Sequence, residues 1–363
     1  MKDAAKLPRR RRRTQSAPTI ADVARVAGFS PMTVSRVINA EPNVLEATRD
    51  KVREAIEGLG YIPNLAARSL AGARKCRIAL LYSNPSVGFL SEFMVGSLVQ
   101  ARESDAELIV EHCPEDQSPY DLVQRLGAYR LDAVLLPPPL CDDKALLEAL
   151  RQAGLLLAQI ATSDPAPFAR AVSIDDRAAA RAMTEHLIGL GHRRLALVTG
   201  NPNQTASKSR EQGFRDALAA AGVPCNPAWI VQGDFSYRSG LKAAEKLLGT
   251  DQRPTAIFAS NDDMAAAAVA TAHRHGLKVP RDLSICGFDD TAMALSIWPE
   301  LTTIRQPIAD MTRLAVRSLC DDVRGESSGA MTPGRLTGIA FELIRRSSDA
   351  APGGGIKPGE APL

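Results

Sequence analysis

The sequence predicts two unlike parts: an all-α head of short helices, and a larger α/β body in which buried parallel strands alternate with helices. Three observations lead there. From Thr19 to about residue 60, apolar residues recur at helical spacing. Beyond Cys76, short β-rich runs alternate with helical stretches. The charge divides at the same boundary: residues 1–75 hold 15 Lys and Arg against 7 Asp and Glu, and the remainder hold 29 against 34. A basic head on a mildly acidic body suggests that only the head meets a polyanion.

At 363 residues the chain exceeds one ordinary domain. With 45% hydrophobic and 23% charged residues it has the mix of a globular protein. No apolar run is long enough to cross a bilayer, and no apolar stretch follows the basic N-terminus as in a secretory leader. The cytoplasm is therefore the expected compartment, with no membrane partner. The six cysteines (Cys76, Cys113, Cys141, Cys225, Cys286 and Cys320) are scattered, without metal-ligand spacing. They read as small buried hydrophobes. No metal and no cofactor are expected.

The first 18 residues read as a basic, disordered arm. Its run from Arg9 to Arg13 suits a solvated tail as well as a contact to phosphates. In TIADVARVAGFSPMTVSRVIN, starting at Thr19, Val23, Val26 and Ala27 fall on one helical face. Gly28 then supplies a residue able to take positive φ and stop that helix. Ser30 followed by Pro31 is a helix start: a hydroxyl for the free amides, and a proline where its missing N–H costs nothing. Val34, Val37 and Ile38 give the second helix its apolar stripe, and Val52, Ala55, Ile56 and Leu59 give a third. Two short helices joined by a tight glycine turn form a helix-turn-helix, whose second helix enters the major groove. Pro31 and Met32 open that helix, and Thr33, Ser35 and Arg36 form its polar face. Arg36 suits bidentate contact with guanine, and Thr33 and Ser35 suit phosphates. Taken singly, Thr33 and Ser35 would read as solvated; the whole string argues otherwise.

The stretch 19–75 resembles the DNA-binding head of the lactose-repressor (LacI/GalR) family. The marks are TIADVA at 19–24, AG at 27–28, TVSRVIN at 33–39, TRDKV at 48–52 and GYIPN at 60–64. The resemblance implies that Thr19, Ser30, Pro31, Met32, Thr33, Ser35, Arg36 and Asn39 face DNA, with Pro31, Met32 and Arg36 at base-reading positions. Reading through apolar contact and shape is then expected beside hydrogen bonds. Leu45 stands where the family often has a small capping residue. After a head spanning 19–63, residues 64–75 hold Asn64, able to cap, and a helix-prone stretch ended by Gly72, too short to be helical alone. The resemblance implies a hinge that folds on DNA in the minor groove, with Asn64, Ala67 and Arg68 at the contact and Leu70 wedged between base steps. A plain linker is the alternative reading.

In the body, runs at 76–82, 107–113, 131–137, 155–160, 193–200, 254–260 and 282–288 read as buried parallel strands. Helices are expected between them, for example over 208–221, 236–248 and 262–276. The pattern is doubly wound α/β. DDRAAA at 175–180, LGHRRLA at 190–196, SNDDMA at 260–265 and GFDD at 287–290 are similar to the effector-binding body of the same family, so the resemblance covers 19–345. It implies a periplasmic-binding-protein-like fold over 76–346. Lobe one takes about 76–172 and 303–329, and lobe two about 173–302 and 330–346. Crossings are expected near 172–174, 302–304 and 330–336.

It further implies a ligand between the lobes, clamped by Arg210 and Asp289, with Asn261 supplying an amide, Phe235 an apolar face and Asp164 a weaker polar contact. The loop 82–92 should cover the other side. Without that resemblance, Phe235 reads equally as core, and Asp262 and Asp290 as helix caps. Arg210 opposes the dipole of its own helix start, which asks for a functional reason. In relatives that bind purines an arginine stands six residues ahead of the position of Arg210; Gln204 stands there in this chain, which favours a sugar or sugar derivative. A small-molecule receptor without a DNA role leaves the head unexplained. An enzyme is not expected: no nucleophile-elbow, dinucleotide or phosphate-loop glycine motif occurs, and the histidines form no ligand-spaced set. A homodimer on a pseudo-palindromic operator is expected. Residues 347–363, rich in Gly and Pro, are expected to be disordered.

Overall fold

The computed structural model describes residues 18–38, 44–61, 75–114, 117–326 and 329–353. It divides into two units at Lys75 and Cys76. In the first, α1 (Ile20–Ala27), α2 (Pro31–Ile38) and α3 (Glu46–Leu59) close around Val23, Ala24, Val34, Val37, Val52, Ala55 and Tyr61. Thr19 caps α1 reciprocally: its hydroxyl takes the Asp22 amide and the Asp22 carboxylate takes the Thr19 amide. Gly28 ends α1 at φ 74°, and Ser30 Oγ accepts the Thr33 amide at 3.1 Å to start α2. One expectation fails: Val26 is 57% exposed. The buried stripe starts one turn earlier, at Ile20, and runs through Val23, Ala24 and Ala27, so Val26 falls on the far side of the helix. Leu45, ahead of α3, gives no side-chain cap bond.

The body alternates strand and helix throughout. Its chain order is β1 (Cys76–Tyr82), α4 (Val87–Glu103), β2 (Ala106–His112), α5 (Pro119–Gly127), β3 (Ala133–Leu136), α6 (Lys144–Gln152), β4 (Leu156–Ile160) and β5 (Arg170–Ser173). Then follow α7 (Asp176–Gly189), β6 (Leu195–Thr199), α8 (Thr205–Ala220), β7 (Ile230–Gln232), α9 (Tyr237–Leu248), β8 (Ala256–Ala259), α10 (Asp262–Arg274), β9 (Ser284–Cys286) and α11 (Ala292–Ser296). The chain ends with β10 (Thr303–Arg305), α12 (Ile308–Arg324), β11 (Leu336–Gly338) and β12 (Glu342–Ile344). Lobe one is a parallel sheet in the order β11-β5-β4-β3-β1-β2, and lobe two a parallel sheet in the order β7-β6-β8-β9. β3, β6, β8 and β9 are buried along their whole length, in keeping with the apolar runs expected there. β5 is equally buried but is not among the expected runs, because RAVS carries an arginine and a serine.

The chain passes between lobes three times, after β5, at the antiparallel pair β10–β12, and after β11. The last passage lies at 339–342, later than expected near 330–336, because β11 pairs with β5 and extends lobe one to Gly338. That strand, three residues of middling polarity, carries little sequence signal. The expected disorder from 347 also fails over 347–350. Ser348 is fully buried; it donates to the Ile285 carbonyl and accepts the Thr302 amide. Asp349 meets His186 at 2.7 Å, and the Ala350 amide reaches Ser284 Oγ at 3.0 Å. Composition averaged over the Gly- and Pro-rich end hid this short polar anchor.

Candidate functional site

Parallel sheets end their strands on one side, so the loops after them converge. Here the loops after strands of both lobes meet in one cleft, lined among others by Asn84, Ser86, Pro138, Ala161, Gln204, Phe235, Asn261, Asp289 and Gln306, with Arg210 rising from α8. The enclosed space is only about 20 Å³, room for about one water and far below an ordinary ligand pocket of about 300–1,000 Å³, so the lobes stand closed over the site. Ala161, Phe235 and Asp289 hold positive φ (57°, 69° and 108°) although none is glycine. Such strain, on the order of 1–3 kcal/mol each, persists where the surroundings over-determine it, as at binding sites.

Arg210 is buried and already anchored. Its Nε donates to Asp176 Oδ1 at 2.7 Å and its Nη1 to the Ser260 carbonyl at 2.6 Å. Its guanidinium lies 3.6 Å from the centre of the Phe288 ring, and Asp289 Oδ1 is 3.9 Å from Nη1. Asp289 accepts from Gln306 Nε2 at 2.5 Å. Burial pushes the Asp289 carboxyl well above the ordinary range, against the pull of the Arg210 charge. Burial likewise raises Asp176, again opposed by Arg210. Gln306 Oε1 is buried with no hydrogen-bond partner, an acceptor at the wall of the cleft.

Asn261 caps α10 through Oδ1 and donates from Nδ2 to the Phe235 carbonyl at 2.9 Å, which helps hold the strained Phe235 backbone. The Phe235 ring packs so close over Gly200 that a Cβ there would sit 2.0 Å from it. Arg210, Asp289, Asn261 and Phe235 are therefore brought together. Asp164 is not: it is exposed, pairs with Lys144 at 3.4 Å, and lines a neighbouring depression with Phe168 and Lys208. Its position, four residues past β4, puts it in that neighbouring depression and not in the cleft.

Asp262, read without the resemblance as a helix cap, is a buried acceptor for the Thr291 amide and the Thr291 and Thr303 hydroxyls. Its burial pushes the carboxyl up to about 7. Sequence reasoning missed Gln306, which stands one residue beyond a three-residue crossover strand, and missed Asp176 as the partner of Arg210, although the DDR motif names it.

In the head, Pro31, Met32 and Arg36 are exposed along α2, and Thr33 and Ser35 are half-buried. Thr19 and Ser30 both serve as caps, and the Ser30 and Thr33 hydroxyls share a 2.9 Å bond. Asn39, Asn64, Ala67, Arg68 and Leu70, like the arm, lie outside the described residues.

Residues 19–64 match the family described as bacterial regulatory proteins, lacI family, and residues 184–348 match a periplasmic binding protein-like domain. The catabolite control protein A of Priestia megaterium is 34% identical over 303 residues, 83% of this chain and 91% of that protein. A complex of the transcriptional regulator CelR with cellobiose superposes with a TM-score of 0.68 at 31% identity, covering 91% of this chain and 99% of that one. A lac repressor dimer bound to operator and the anti-inducer ONPF gives 0.73 at 28% identity, covering 93% and 100%. With a capped helix-turn-helix ahead of a two-lobed cleft, and relatives alike over nearly their full length, the chain belongs to the LacI family of bacterial regulatory proteins.

Proposed function

We propose that this protein is a sequence-specific DNA-binding transcriptional repressor whose hold on its operator is set by a small molecule bound between the lobes of its body. The molecule is a sugar or sugar derivative, and the protein acts as a homodimer on a pseudo-palindromic site in the cytoplasm. Among the described residues no helix is long and apolar enough to cross a membrane. The observation that carries the reading is the cleft, where a buried arginine, a buried carboxyl, a capping amide and an unpartnered Gln306 oxygen converge beside the Phe235 ring. Planar donors and carboxyl acceptors suit the paired hydroxyls of a sugar, and an aromatic face suits its ring. The relatives point the same way: one solved neighbour holds cellobiose, and another sits on operator DNA.

The experiment is a selection of bound duplexes from random DNA by the purified full chain, followed by a thermal-shift screen against sugars. A recovered palindrome-like site and a stabilising sugar that alters binding to it are expected. A stabilising sugar with no preferred duplex would favour the second reading, a sugar-binding protein without a DNA role. Asp289→Asn should leave binding to the selected site intact and remove most of the sugar's stabilising effect. An unchanged thermal shift in that variant excludes Asp289 from the site.

A further inference from the structure

Among the described residues, hydrogen bonds join the lobes across the cleft at two places, and both use the first turn of a helix. Asp142 ends a single 3-10 turn, Leu140–Asp142, in lobe one. Its carboxylate accepts the Thr205 amide of lobe two at 2.8 Å and the Thr205 hydroxyl at 3.0 Å. Thr205 is the first residue of α8, and the residue ahead of it, Gln204, supplies no side-chain cap. The helix that carries Arg210 is thus capped from the opposite lobe, by an anion placed at the positive end of its dipole. Thr162 of lobe one donates to the same carboxylate at 2.7 Å, and the Ser163 amide returns to Thr205 Oγ1 at 2.8 Å. The second contact is the mirror of the first in logic. Ser86 caps α4 in lobe one, and its hydroxyl donates at 2.5 Å to Asp263, in the first turn of α10 in lobe two.

We propose that Asp142–Thr205 and Ser86–Asp263 form a two-point clasp that holds the lobes shut, and that Asp142, by capping α8 in trans, sets how readily the cleft opens. Opening the cleft leaves α8 without its cap, whereas closure restores it. Removing a helix cap shifts an equilibrium by roughly five- to tenfold, so the clasp couples the integrity of the Arg210 helix to lobe closure. Burial raises the Asp142 carboxyl above its ordinary range, as expected of an anion drawn out of water into a closed joint. The consequence for control rests on the function proposed above: an effector enters and leaves only when the clasp is undone, so loosening it speeds both steps.

The test is hydrogen exchange on the full chain, without DNA or sugar, for Asp142→Asn, Asp142→Ala and Ser86→Ala. The asparagine keeps the volume of the site but loses the carboxylate's second acceptor, so it serves even if the alanine variant folds poorly. Exchange should rise about fivefold over residues 205–209 and also at the far contact, over 86–90 and 261–265. Ser86→Ala should raise exchange over 205–209 in return. Change confined to 205–209 in the Asp142 variants would reduce Asp142 to a local cap and overturn the clasp. No change anywhere would overturn it as well. Since neither operator nor effector is present, the outcome is independent of whether the chain binds either one.

Discussion

Single residues divide into those that face a partner and those that hold them in place. Arg36 stands exposed on α2 with Met32 and Pro31 ahead of it. Arg36→Ala should cost about 1–3 kcal/mol of binding to the selected duplex and relax the preference at one base pair; a variant with unchanged affinity and ranking would remove Arg36 from the groove. Arg210 is a poorer probe than its place in the cleft suggests. Truncating it strands Asp176, and a buried pair broken on one side costs about 3–5 kcal/mol. Loss of response in that variant would therefore mix binding with stability. Asp262 offers a cleaner measurement of burial. Its carboxyl is raised from 3.8 to about 7 in the folded chain, so the native state binds the proton more tightly than the unfolded state. Stability from this group is full below pH 4, falls as pH rises toward 7, and is lost above it. Asp262→Asn should flatten that decline, gaining up to about 4 kcal/mol relative to the parent between pH 4 and pH 8. Denaturation midpoints that track the parent at every pH would show that Asp262 ionises freely.

Among elements, the short and polar ones departed from expectation, and the long apolar ones did not. β1 has the bounds its sequence predicts, and the helix starts at Thr19 and Ser30 are legible because a hydroxyl three residues ahead of a free amide is a local signal. Val26 was misplaced because one valine fits either phase of a short helix, and only the packing of Ile20 decides. β11 and the anchor at 347–350 depend on partners remote in the chain, β5 for the strand and β9, more than sixty residues back, for the anchor, which no local pattern encodes. In the cleft, the resemblance points to Arg210, Asp289, Asn261 and Phe235, while Gln306 and Asp176 matter through contacts with Asp289 and Arg210 that no motif encodes. The anchor yields its own prediction. Ending the chain at Gly353 keeps the Ser348, Asp349 and Ala350 bonds, and ending it at Arg346 removes them. The shorter form should melt several degrees lower in thermal denaturation, because Thr302, Ile285, His186 and Ser284 lose buried partners. Equal melting temperatures would make the anchor incidental.

For the whole molecule, the division of charge sets the physics of encounter. The basic surplus is confined to the head, so the head is the part that a polyanion attracts. Each phosphate neutralised contributes a slope of about −0.9 to log affinity against log salt. Affinity for the selected duplex should thus fall on the order of a thousandfold between 50 and 200 mM salt, the loss expected for about six phosphate contacts; a nearly flat titration would mean that phosphates contribute little. The threefold passage of the chain between lobes has a consequence for inheritance. Lobe one is assembled from residues 76–173 and about 308–338, and lobe two from the stretches between and after them. No single crossover in the gene can therefore exchange one lobe for that of a relative. Recombination within the body would splice half-lobes whose strands lack their neighbours, so the two halves of the sensor must diverge together, while the head, encoded in one piece, is free to be traded.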